Sequence, residues 1–262
     1  MSEVLLCEVD NIKMKYFSFG NGNKTMIMLP GVSLNSVMLS KDIISKAYEM
    51  FTDEFTVYVF DRKLYMEEGY STYDMAKDTI KVIDNLGLKE LYVLGASQGG
   101  MMALYMGIIR PDLFKKINIC ASTPKFSNNS FKLMNEMVEL AKKNMKYELV
   151  DSFCKLIYTK EFYESIKGAL NEFSDTLTSN DIDRLIISIN SLKGFDVCDD
   201  LNKIQCPILA IGAKLDPIMD NNDLKLIKDN CDSEIYIYDN YSHAVYDEAK
   251  DIKERIYEFF LK

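Results

Sequence analysis

The chain has 262 residues, 48% of them hydrophobic and 27% charged, and a formal net charge of −9 at pH 7. Those proportions are ordinary for a soluble globular protein, and the length suits one α/β domain with an insertion or two small domains. The negative balance, with no clustered basic face carrying interleaved aromatics, argues against a nucleic-acid surface.

Met1 to Glu8 has no basic segment and too short an apolar run for a signal peptide. No stretch approaches the length that spans a bilayer. The six cysteines lie far apart with no C-x-x-C pair. Without an export signal they read as buried thiols in a cytoplasmic protein.

Residues 3–9 and 12–19 are β-like runs around Asp10-Asn11, which predicts a hairpin. Thr25 to Leu29 is a short buried strand stopped by Pro30-Gly31. Ser40 to Phe51 has helical spacing, and Phe55 to Phe60 is a strand ending at Asp61-Arg62. Residues 72–86 form an amphipathic helix closed by Gly87. Leu91 to Leu94 is a strand that runs into Gly95-Ala96-Ser97-Gln98-Gly99, and a helix follows at once to about Ile109. Lys116 to Ala121 is another strand.

From Ser122 the rhythm changes, and residues 130–192 carry helical patterns only. Strands resume at Pro207–Ile211 and Glu234–Tyr238, with a helix over 221–229 between them and a last helix from about Tyr246 to Leu261. Strands alternating with helices predict a mostly parallel sheet covered on both faces, opened by an antiparallel hairpin. The helical block is an insertion at one edge.

A Gly-x-Ser-x-Gly match is weak alone, but here it sits between a strand and a helix, the setting that gives it meaning. Two glycines let the backbone take a strained angle and pass close to its neighbours, so that the Ser97 hydroxyl stands above the sheet. A serine hydroxyl needs a base to take its proton. His243 is the only histidine in the chain. Asp216, just past a late strand, is placed to fix the imidazole tautomer and stabilise the imidazolium. Asp220, Asp196, Asp199 and Asp200 are the other candidate acids, with a solvated acidic loop the plainer role for the last three.

These residues resemble the α/β-hydrolase fold superfamily in its small capped serine-hydrolase form, over nearly the whole chain. The motifs that carry the likeness are Gly95-Ala96-Ser97-Gln98-Gly99, Leu29-Pro30-Gly31-Val32, Gly212-Ala213-Lys214-Leu215-Asp216 and Ser242-His243-Ala244. Their order, Ser then Asp then His, is the order that fold uses. The resemblance implies a mostly parallel eight-stranded sheet flanked by helices, with core residues 1–124 and 196–262 around a helical cap at 125–195. It implies esterase-type cleavage of a small-molecule acyl substrate, with the Val32 and Gln98 amides as oxyanion donors and no metal or organic cofactor.

The chain departs from the family pattern after Asp61-Arg62, where the usual Gly-x-Gly turn is replaced by Lys63 to Ser71. The absence of tryptophan and a serine nucleophile argue against dehalogenase and epoxide hydrolase chemistry. Acyl transfer, carbon–carbon bond hydrolysis and a ligand-binding relative without turnover share the scaffold and stay open. The Met- and aromatic-rich helices of the insertion fit cap-to-core packing, an acyl pocket or a dimer contact, so a monomer and a homodimer are both expected states.

Overall fold

A computed structural model describes residues 3–262. Eight strands, β1 (Leu5–Val9), β2 (Ile12–Phe19), β3 (Lys24–Leu29), β4 (Phe55–Lys63), β5 (Leu91–Ala96), β6 (Phe114–Cys120), β7 (Ile208–Ala213) and β8 (Ser233–Tyr238), form one sheet. Its order is β1-β2-β4-β3-β5-β6-β7-β8. The β1–β2 and β2–β4 pairs are antiparallel and all later pairs are parallel. The helices are α1 (Lys41–Ala47), α2 (Thr72–Asn85), α3 (Gln98–Ile109), α4 (Asn128–Lys142), α5 (Lys146–Ile157), α6 (Lys160–Ile166), α7 (Leu170–Thr176), α8 (Ser179–Asn190), α9 (Leu224–Asn230), α10 (Val245–Glu248) and α11 (Ile252–Leu261).

The period of two along each strand divides the core into two layers. Ile208 and Ala210 of β7 join the layer that holds α2, α3 and α9, whereas Leu209, Ile211 and Ala213 face the layer that holds α11. The second layer is rich in aromatics. The fully buried Phe55 ring meets Phe51, Tyr92, Tyr257 and Phe260, with centroids 5.2, 5.3 and up to 6.5 Å apart within the group. Helix α2 starts with a reciprocal Ser71–Asp74 capping box and ends before Gly87, whose φ of 68° continues the chain at no Cβ cost. Helix α3 is buried on almost every side, as expected of a helix held between the sheet and a covering layer.

Helices α4 to α8 all lie between β6 and β7. The block is entered and left through one antiparallel bridge, Lys125 opposite Asp196, sealed by Phe126 N–H to Phe195 O at 2.8 Å and Val197 N–H to Pro124 O at 2.9 Å.

Three elements differ from expectation. Strand β4 runs through Asp61 and Arg62 to Lys63, because Met14 across a bulge in β2 still pairs with Lys63. The helix expected over 40–51 is the shorter α1 between two 3-10 turns. The single C-terminal helix is broken at Ala249, which is extended, and Asp251 just after it accepts the Tyr238 hydroxyl at 2.9 Å. Trimming Phe55 to alanine empties the centre of the aromatic layer. Phe55→Ala is expected to lower unfolding free energy by about 3–5 kcal/mol in a urea titration.

Candidate active site

Four loops leave the carboxyl ends of parallel strands and converge, the place where ligands bind in open α/β sheets. They carry Gly31-Val32 after β3, Ser97 after β5, Asp216 after β7 and His243 after β8.

The strain at the β5–α3 turn falls on the serine itself: Ser97 has φ 50° and ψ −120°, a region costly for any residue with a Cβ. The flanking glycines serve proximity instead. A Cβ on Gly95 would lie 2.5 Å from Gly99 O, and one on Gly99 would lie 2.0 Å from Leu29 O. Only bare backbone allows the turn to press against the end of β3. The strained serine is pinned from the other side by its N–H, which donates to Cys120 O at 2.8 Å.

The imidazole of His243 lies between the two other groups. Its Nε2 is 3.0 Å from Ser97 Oγ, and its Nδ1 is 2.8 Å from Asp216 Oδ2. A carboxylate beside Nδ1 holds the proton there and leaves Nε2 free to accept. The other Asp216 oxygen accepts the Ile218 and Met219 amides at 2.8 and 3.0 Å. With its side chain 1% exposed, Asp216 is fully paired and cannot turn away. The remaining acids are engaged or placed elsewhere: Asp220 caps a turn at Asn222, Asp196 accepts the Cys198 amide, Asp200 pairs with Lys203, and Asp199 is exposed in the first turn of the 3-10 helix Cys198–Lys203. The His243 loop is itself tethered, since Ala244 N–H donates to Ile157 O at the end of α5 at 2.8 Å.

A family model described as the α/β-hydrolase fold matches residues 24–250. The chain belongs to the α/β-hydrolase fold family. It is 25% identical over 224 residues to the pimeloyl-[acyl-carrier protein] methyl ester esterase of Wigglesworthia glossinidia brevipalpis, covering 80% of this chain and 81% of the relative. It is 24% identical over 225 residues to karrikin insensitive 2 receptor B of Petunia hybrida, covering 80% and 78%. An α/β-hydrolase enzyme from a Medee basin deep-sea metagenome library superposes with a TM-score of 0.87 at 19% identity, covering 98% of each chain.

In this α/β-hydrolase, Gln98 is the first residue of α3, where a helix leaves its N–H without an intrahelical acceptor. Val32 lines the same pocket as Ser97 and His243. Most of the rest of that pocket is apolar, with Phe126, Met134, Phe153, Ile157, Leu192 and Ile218 among its walls; Tyr246 also lines it, and among the described residues there is no Asp, Glu, Lys or Arg. Its volume is about 10 Å³, room for roughly one water. No group of three or more His, Cys, Asp or Glu side chains among the described residues is arranged to hold a metal. None of the six thiols is paired, and burial pushes Cys154 up to about 11.

One buried polar group beside the site was not legible in the sequence. Asp61 and Arg62, read as a strand end, are 5% and 6% exposed. Arg62 Nη2 donates to Pro30 O at 2.7 Å and to Gln98 Oε1 at 2.9 Å. Gln98 Nε2 donates onward to Ser188 O at 2.8 Å and to Ser191 Oγ at 2.7 Å, at the end of α8. Asp61 accepts from Arg184 of α8 at 2.9 Å and from the Ser36 hydroxyl. Burial lowers the Arg62 guanidinium to about 10, which leaves it a cation at neutral pH.

Gly99→Ala is expected to lower the melting temperature and cost at least about 1–3 kcal/mol by overpacking against Leu29 O. Gly168→Ala, with nothing within 4 Å of the added Cβ, provides the control and stays within about 0.5 kcal/mol.

Proposed function

We propose that the chain is a serine hydrolase that cleaves a carboxylic ester or related acyl bond, of carboxylesterase type, through an acyl-enzyme at Ser97. The observation that carries this reading is the continuous hydrogen-bonded line Ser97–His243–Asp216 opening into an apolar pocket. A relative that is a methyl ester esterase supports the choice of an acyl bond.

In the proposed reaction the Ser97 proton passes to His243 Nε2 as Oγ bonds to the substrate carbonyl carbon, and the carbonyl π pair moves onto oxygen. The Val32 and Gln98 amides hold that oxyanion. Collapse expels the alcohol, which takes the proton from His243. Water then gives a proton to His243 as its oxygen bonds to the acyl carbon, and collapse breaks the bond to Ser97 Oγ, which takes the proton back from His243 as the acid leaves. Asp216 keeps its negative charge throughout and stabilises the imidazolium.

The pocket as it stands has no room for an acyl chain, so the helices above it must lift to admit substrate. We take residues 125–195 as that cap, with its hinge at the Lys125–Asp196 bridge. Phe126, Met134, Phe153 and Ile157 then belong to the cap side of the pocket, and the lining selects a neutral acyl group.

A relative named as a receptor is the observation that favours a second reading, in which the chain binds a ligand without turnover. A module that only binds has no use for a base aligned on a strained serine, and a fluorophosphonate probe separates the two by labelling Ser97 only if it is activated. Ser97→Ala is expected to abolish turnover of p-nitrophenyl butyrate with the melting temperature nearly unchanged, and Asp216→Asn to lower kcat by roughly 10³–10⁴. Full turnover in the alanine variant would sink the assignment. An ester of the same length ending in a carboxylate is expected to react about 100-fold more slowly, because its charge would enter the pocket unpaired. Adding an alcohol acceptor and measuring the new ester distinguishes acyl transfer from hydrolysis.

A further inference from the structure

Arg62 is a buried cation in an unusual setting. Among the described residues, no carboxylate accepts a hydrogen bond from its side chain, because Asp61 is taken by Arg184 and Ser36. Its two acceptors are neutral oxygens, Pro30 O and Gln98 Oε1. Burying a guanidinium whose acceptors are neutral and whose Nε–H has no partner among the described residues is costly even with the Asp61 charge beside it, so the position calls for a compensating role.

Both acceptors belong to segments that flank the reactive serine. Pro30 lies two residues before Val32 in the loop after β3, and Gln98 directly follows Ser97. A guanidinium NH₂ has two hydrogens, and the single atom Nη2 directs one to each segment. The same two segments run close together at Gly31 and Ser97, where a Cβ on Gly31 would sit 3.0 Å from the serine Cβ.

We propose that Arg62 is a positioning residue that clamps the two arms of the oxyanion hole at their working separation, which rests on the hydrolase reading above. The oxyanion appears only as the carbonyl is attacked, so the clamp acts on the transition state and leaves substrate binding alone. Through Gln98, the same clamp reaches Ser188 and Ser191 of α8, so the seated helical insertion braces one arm of the hole.

The test compares the wild type with Arg62→Met, Arg62→Lys and Gln98→Met. Turnover of p-nitrophenyl butyrate is read beside the affinity for butaneboronic acid, whose Ser97 adduct fills the oxyanion hole, and for butyramide, a ground-state mimic. Arg62→Met is expected to lose about 100-fold in kcat with KM within about twofold. Boronate affinity falls in parallel while butyramide affinity holds. The ammonium of Arg62→Lys recovers activity to within about tenfold of wild type, since one –NH₃⁺ serves both acceptors. Gln98→Met, which frees one arm only and serves if Arg62→Met fails to fold, loses about tenfold in kcat with KM unchanged. Wild-type kcat in folded Arg62→Met overturns the proposal, as does an equal weakening of boronate and butyramide, which marks a purely structural role. A wild type that neither turns over the ester nor binds the boronate overturns the hydrolase reading, and the clamp with it.

Discussion

Backbone crowding at the end of β3 and β5 is the constraint on which the remainder of the structure depends. The turn after β5 presses its Gly99 onto the Leu29 carbonyl, and Ser97 takes up the resulting strain at φ 50°. Such a turn persists only where its surroundings over-determine it. Here the Ser97 amide is held by β6, the glycines by β3, and the whole of α3 by core on nearly all sides. The hydroxyl is thereby fixed relative to the sheet before any partner residue arrives.

Around that fixed point, polar groups are buried only with their partners. Asp216 spends one oxygen on His243 and the other on two amides of the loop that forms a pocket wall. A change at the acid therefore reaches the pocket as well as the imidazole. Asp61 is balanced by Arg184 across 123 residues of sequence, which ties the sheet to α8. The helical insertion thus meets the core through charge and hydrogen bonds at α8 and through the Ala244–Ile157 tether at α5. Satisfied networks of this kind favour one seated arrangement over many loosely packed ones.

The strands, the mostly parallel character of the sheet and the segments bearing Ser97, Asp216 and His243 could be read from local patterns: apolar runs, alternation, and a serine between glycines. Each of those signals spans a few residues, and the topology rules of parallel sheets do the rest. What local pattern could not give was distance. Asp61 and Arg62 look like the polar end of a strand, and their partners Pro30, Gln98 and Arg184 lie 32 to 123 residues away. The break at Ala249 was hidden for a similar reason, since helical spacing continues across it and the cause is a tyrosine on β8. Asp216 could be preferred over its neighbours for its place just past a late strand, whereas its contact with His243 is a hydrogen bond that no spacing rule supplies.

The bridge between Lys125 and Asp196 has a consequence for the architecture as a module. Residues paired across two antiparallel strands have Cα atoms only about 5 Å apart. The five-helix excursion therefore begins and ends at nearly the same point in space, and the sheet beneath it closes without reference to the length of chain in between. A two-residue turn spans the same gap. The entry and exit of the excursion therefore place no demand on the register of β6 and β7, and what seats it over the strands that hold Ser97 and Asp216 is its own set of ties at α5 and α8.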